Sequence, residues 1–377
     1  MDETETNATL LSVANKRVVT LGGGTGPFAL LSHLKHYPCA ITAIVTMADS
    51  GGSSRRLMDE FGELPLGDLR QALVALSRKG ILWRDVFAYR FRRPQAPGET
   101  GPDGVERRRA PAQPIDEKAG VSGHSLGNLV ISALRDINEG NLLWAIEDAQ
   151  EMLDTAGKVL PVTLAHATLC AELDDGTVVE GETNIDTRGE HEQDAVAPIR
   201  RLFLKDDTPA CNEAIRAIRR ADVIILGPGD LYTSVLPSLL VQGVADAIRA
   251  SEAQKVYVGN LMTKHGETDG YRASDFVRQI HRYLGDRVDR AILHDGSFPD
   301  HLVDLYAAKQ QYPVQPDVEA VRQVVPDVIV DSLLAVHGQL VRHDADRLLR
   351  AAFAPPFTMQ AATASPGAAN VPAKRVR

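Results

Sequence analysis

Arg17-Val-Val-Thr-Leu21, Gly22-Gly-Gly-Thr-Gly26 and Pro27 open the stretch that decides how this chain folds. Five mostly β-prone residues run into glycines, and a proline then begins an apolar-periodic segment that reaches Tyr37. That order predicts a strand, a tight turn and a helix N-terminus. Glycines let main-chain N–H groups approach an anion, and the exposed N–H groups and dipole of the following helix favour negative charge. Gly22, Gly23, Gly24 and Gly26 are therefore candidate phosphate contacts, and Thr25 adds a hydroxyl.

A second strand, Ile41 to Thr46, leads into Ala48-Asp-Ser-Gly-Gly-Ser-Ser-Arg55, so Asp49, Gly51, Gly52, Ser53 and Ser54 are expected beside the first turn. Asp49 is the candidate Mg²⁺ ligand, because Mg²⁺ often needs only one or two protein carboxylates alongside substrate phosphates. Leu66-Gly-Asp-Leu-Arg70 makes a third polar corner, where Asp68 is either a ligand contact or a helix cap. Gly24, Gly26 and Ala29 also satisfy the G-x-G-x-x-A dinucleotide fingerprint, with Asp49 about twenty residues on.

The 377 residues allow one large domain or two smaller ones, and 44% hydrophobic with 24% charged residues is a soluble globular composition. Forty-one basic against fifty acidic residues give a net charge of −9, which argues against nucleic acid as a partner. Three scattered cysteines, Cys39, Cys170 and Cys211, form neither a disulfide framework nor a metal motif. No signal-peptide pattern or membrane span is read, so a cytoplasmic location is expected.

The rest of the chain predicts a single α/β domain over residues 16–353 between disordered tails at 1–15 and 354–377, with a mobile surface insertion at 93–119. Pro161 to Leu173, Asp174-Asp-Gly-Thr177 and Val178 to Glu182 predict a β-hairpin arm over one sheet edge. Strands at 222–226, 255–258 and 290–294 then alternate with helices at 209–220, 241–250 and 273–283. Repeated β then α predicts a Rossmann-like, mostly parallel sheet with helices on both faces and polar loops at the strand ends.

Gly123-His-Ser-Leu-Gly127 matches the G-x-S-x-G nucleophile elbow of α/β-hydrolases. The elbow requires a strand running straight into the serine, whereas Ile115 to Gly120 is a polar loop, so a serine hydrolase is disfavoured. The histidines show no paired ligand spacing, and Arg342-His-Asp344 reads either as a surface ion-pair cluster or as a binding element.

Taken together, these motifs resemble the CofD/YvcK-like family, which includes 2-phospho-L-lactate transferases and bacterial gluconeogenesis factors. The resemblance spans about Lys16 to Phe353. It rests on Gly22–Gly26, Ala48–Ser54, Gly67-Asp68, Gly123-His-Ser-Leu-Gly-Asn128, Gly227-Pro-Gly-Asp-Leu-Tyr-Thr-Ser234, Asn260-Leu-Met-Thr263 with Gly266-Glu-Thr-Asp-Gly270, and Arg342-His-Asp344. The gluconeogenesis-factor branch is closer, since transferases usually carry Ser-Asn-Pro where Gly229-Asp-Leu231 stands. It implies a UDP-sugar or other nucleotide-diphosphate ligand, UDP-N-acetylglucosamine for instance, and a role in cell shape and morphogenesis during gluconeogenic growth. His124, Ser125, Asn128, Gly227, Gly229, Tyr232, Thr233, Asn260, Thr263 and Arg342 thereby join the candidate ligand-binding residues. A regulator without turnover, a Mg²⁺-dependent transferase and an NAD-binding protein are the three readings in order, and homo-oligomerisation is compatible with each. Ser50 replaces a usual second acid and Arg55 a common glycine, departures that weigh against metal binding more than against phosphate binding.

Overall fold

Seven parallel strands organise the computed structural model, which describes residues 12–48, 64–91, 124–191 and 196–355. In chain order the strands are β1 (Arg17–Gly22), β2 (Ala40–Val45), β3 (Lys158–Pro161), β4 (Leu169–Leu173), β5 (Val178–Glu180) and β6 (Ile199–Leu204). They continue as β7 (Val223–Leu226), β8 (Gln254–Val258), β9 (Arg290–His294), β10 (Asp327–Asp331), β11 (Leu334–His337) and β12 (Leu340–His343). The large sheet has the order β10-β9-β8-β7-β1-β2-β3, and every pairing within it is parallel. Its central strands are continuous apolar runs, as burial on both faces requires: Val223 to Leu226 is fully buried, and β1 is buried from Val18 onward.

From β1 the chain steps outward to β2 and β3, then returns to lay β7 against the other side of β1 and steps outward again to β10. The direction of winding therefore reverses between β1 and β7. At such a switch point the loops leaving adjacent strands diverge and open a crevice beyond their carboxyl ends. The two loops here are Gly22–Gly26 and Gly227–Asp230, both glycine-rich segments.

The expected hairpin arm divides differently. Lys158–Pro161 pairs with β2 as the edge of the large sheet, and the hairpin itself is β4–β5, turning at Gly176 with φ 86°. With β6 it forms a three-stranded antiparallel sheet, tied to the helix Ala273–Leu284 where Tyr283 Oη accepts from Leu202 N at 2.6 Å. The helix Glu182–Asp186 follows this small sheet.

Residues 12–15, at the end of the expected N-terminal tail, pack on the core. Val13 is buried, and Ser12 Oγ donates to the Phe353 carbonyl at 3.2 Å. The helix Ala345–Phe353 closes the domain against β9, where the buried Arg290 donates to the carbonyls of Ala351 and Ala352 and pairs with Asp327 on β10. The insertion at 93–119 and the segments 1–11 and 356–377 lie outside the described residues.

Candidate functional site

The first glycine loop is shaped by what surrounds it. Gly24 adopts φ 73°, a left-handed conformation, and caps the helix Thr25–Leu34. Its N–H donates to Asp68 Oδ1 at 2.9 Å. A Cβ at Gly23 would lie 2.2 Å from Asp68 Oδ2, and one at Gly26 would lie 2.4 Å from the Pro228 carbonyl oxygen. The two loops of the switch point thus touch backbone to backbone, and only glycine leaves the room. Asp68, a candidate ligand contact by sequence, is nearly buried and braces the turn from behind.

A polar cleft of about 430 Å³ opens at this junction. Gly23, Gly24, Thr25 and Gly26 line it together with Gly229, Asn260, Thr263 and Arg342, so candidates spread over more than 300 residues converge. Asn260 Nδ2 donates to the Gly229 carbonyl at 2.9 Å and Thr263 Oγ1 accepts from Tyr312 N at 2.9 Å, which fixes the walls. Arg342 projects from β12, whose Val341 N–H donates to Tyr306 Oη and whose His343 Nε2 donates to the Gly259 carbonyl. The half-buried Arg342 guanidinium donates to the Val341 carbonyl at 2.8 Å and makes no ion pair with any described carboxylate. The ion-pair partner of Asp344 is Arg347, so the surface-cluster reading of Arg342-His-Asp344 does not describe this arginine.

Other candidates lie elsewhere. Tyr232 is buried, with its hydroxyl 2.7 Å from that of Tyr271. Thr233 Oγ1 donates to Asp186 Oδ1 at 3.4 Å, and Gly22 and Gly227 stand just behind the lining residues at the ends of β1 and β7. His124, Ser125 and Asn128 are buried at the start of the helix Leu126–Ile137 and are not among the described residues that line the cleft. Ser125 Oγ accepts from Asn128 N at 3.3 Å as the helix cap, so its hydroxyl is engaged in its own helix turn; the residues immediately before His124 lie outside the described residues. Asn128 Oδ1 accepts from Arg70 Nε at 3.0 Å, which ties this turn to the helix that carries Asp68. Asp49, Gly51, Gly52, Ser53 and Ser54 lie outside the described residues, and with them the candidate Mg²⁺ ligand. Among the described residues no group of three metal-ligating side chains is arranged to hold an ion.

Sequence reasoning missed one cluster. Lys264, one residue beyond Asn260-Leu-Met-Thr263, reaches Asp186, pairs with Asp230 at 2.9 Å and with Glu267 at 3.0 Å. Burial alone would lower the lysine, but the three carboxylates outweigh it and hold it above its usual range. Burial pushes the Glu267 carboxyl up to about 8, against the pull of Lys264. The half-buried His343 is pushed down to about 4, chiefly by desolvation, and stays neutral beside Arg342.

A doubly wound α/β domain with a polar cleft at its topological switch point is the class these features define. The chain belongs to the CofD family: the family model described as 2-phospho-L-lactate transferase CofD matches residues 18–334. It is 40% identical over 338 residues to the gluconeogenesis factor of Halalkalibacterium halodurans, covering 89% of this chain and 95% of that protein. Its identity to the gluconeogenesis factor of Bacillus subtilis is 37% over 334 residues, with 88% and 95% covered. A crystal structure of a Bacillus halodurans protein superposes with a TM-score of 0.78 at 40% identity, covering 89% of this chain and 99% of that one.

Proposed function

We propose that this protein is a gluconeogenesis factor that binds a UDP-sugar in the switch-point cleft and acts as a cytoplasmic regulator linking carbon metabolism to cell-envelope morphogenesis. The observation that carries the reading is Arg342. A cation with no carboxylate partner among the described residues faces the same cleft as a glycine-lined helix N-terminus, and the two together suit a diphosphate. The cleft volume also falls in the range of small-molecule sites. No helix among the described residues is long and apolar enough to cross a membrane.

A transferase acting on a nucleotide-diphosphate donor is the second reading, favoured by the description of the matching family model. A Mg²⁺ ion would supply charge neutralisation at the phosphates in that case. Both readings need the same phosphate cradle, so turnover separates them. Purified protein incubated with radiolabelled UDP-N-acetylglucosamine, Mg²⁺ and an alcohol acceptor is expected to retain the ligand and return it intact. Release of nucleotide that depends on Mg²⁺ and the acceptor would establish the transferase instead.

A further inference from the structure

The cleft is segregated by charge. Arg342 shares a small side pocket with Gly26 and Pro228, at the helix N-terminus. Elsewhere in the same cleft stand Asp186 and Asp230, with Lys264 as the cation that pairs with both among the described residues. The ammonium of Lys264 is already taken up by Asp186, Asp230 and Glu267, which come from three different segments. It is an internal counterion, bound too fully to serve as a phosphate lysine.

Behind it Glu267 is fully enclosed, and its Oε2 has no hydrogen-bond partner among the described residues. This part of the wall is therefore overstocked with carboxyl groups. Lys264 balances one charge and leaves acceptor oxygens facing the cavity. Carboxylates accept hydrogen bonds and donate none when ionised, which matches sugar hydroxyls and repels a second anion.

Resting on the nucleotide-sugar reading above, we propose that the Asp186, Asp230 and Lys264 wall is the glycosyl subsite. It accepts an uncharged, hydroxyl-rich sugar and rejects a nucleotide sugar that ends in a carboxylate. The diphosphate lies by the glycine loop and Arg342, and the sugar's hydroxyls donate to the Asp186 and Asp230 oxygens.

Calorimetric titration with UDP, UDP-glucose and UDP-glucuronate, three ligands that share the nucleotide and differ only beyond the diphosphate, tests this. UDP-glucuronate is expected to bind about tenfold or more weaker than UDP-glucose, because its carboxylate meets like charge in a partly desolvated site. Asp230→Asn, nearly isosteric and on a half-exposed side chain, is expected to narrow that gap severalfold. Equal affinity of the wild type for UDP-glucose and UDP-glucuronate, with UDP itself bound, overturns the subsite and leaves the nucleotide reading standing. An unchanged ratio in folded Asp230→Asn overturns it as well. Failure of UDP to bind overturns both. The wild-type ratio needs no variant, so an unfolded Asp230→Asn protein does not shelter the proposal.

Discussion

Arg342→Ala is expected to weaken UDP-N-acetylglucosamine binding by about 1.5 to 3 kcal/mol, roughly ten- to a hundredfold, with little change in the thermal melt. The guanidinium faces the cleft and donates to the carbonyl of its own neighbour Val341, so on the proposed reading removing it takes away a ligand contact and breaks no ion pair with a described residue. Arg342→Lys keeps the charge but loses the planar fork that grips two oxygens at once, and should recover only part of the affinity. Titrating the three proteins and melting each checks the claim. Equal affinities would remove Arg342 from the site.

Gly26→Ala is expected to act on both binding and stability. The new Cβ would stand 2.4 Å from the Pro228 carbonyl oxygen and 2.8 Å from its carbon, and both obstacles are backbone that cannot rotate away. Relief requires the two loops of the switch point to separate, which costs about 1 to 3 kcal/mol as overpacking and spoils the geometry of the cradle. If that cost falls on binding, affinity should drop about five- to a hundredfold, at a factor of ten per 1.4 kcal/mol. Gly80→Ala is the control, because nothing lies within 4 Å of a Cβ there. If Gly26→Ala melts and binds like Gly80→Ala, the two loops are not in the contact described.

What could be read in the sequence is what local chemistry dictates. The run Arg17 to Pro27 announces its own strand, turn and helix, and the fully apolar Val223 to Leu226 followed by Gly-Pro-Gly does the same for the second loop. The reach of the cleft to Arg342 came only through the family motif, since nothing around β12 signals that it returns to Gly26. The acidic wall was illegible for a related reason. Asp186 and Lys264 look like loop charges in the sequence, and 78 residues that include strands β6, β7 and β8 separate them. Strand β10 escaped notice because Asp327 and Asp331 bracket only three apolar residues on a half-exposed edge. His124, Ser125 and Asn128 form a recognisable motif whose described contacts include Arg70, Phe91 and their own helix cap, and a motif alone does not say which side of a loop it serves.

Proton exchange at individual backbone amides, followed with and without saturating UDP-N-acetylglucosamine, tests the central claim most directly. A diphosphate held by the glycine-loop N–H groups must slow exchange at Gly23, Thr25 and Gly26, and at Gly229 across the switch point, while distant amides such as Val178 in the small sheet exchange as before. Protection confined to those loops is the expected result. Binding that leaves the Gly23 to Gly26 amides unchanged would contradict the account, because the ligand would then occupy some other part of the protein.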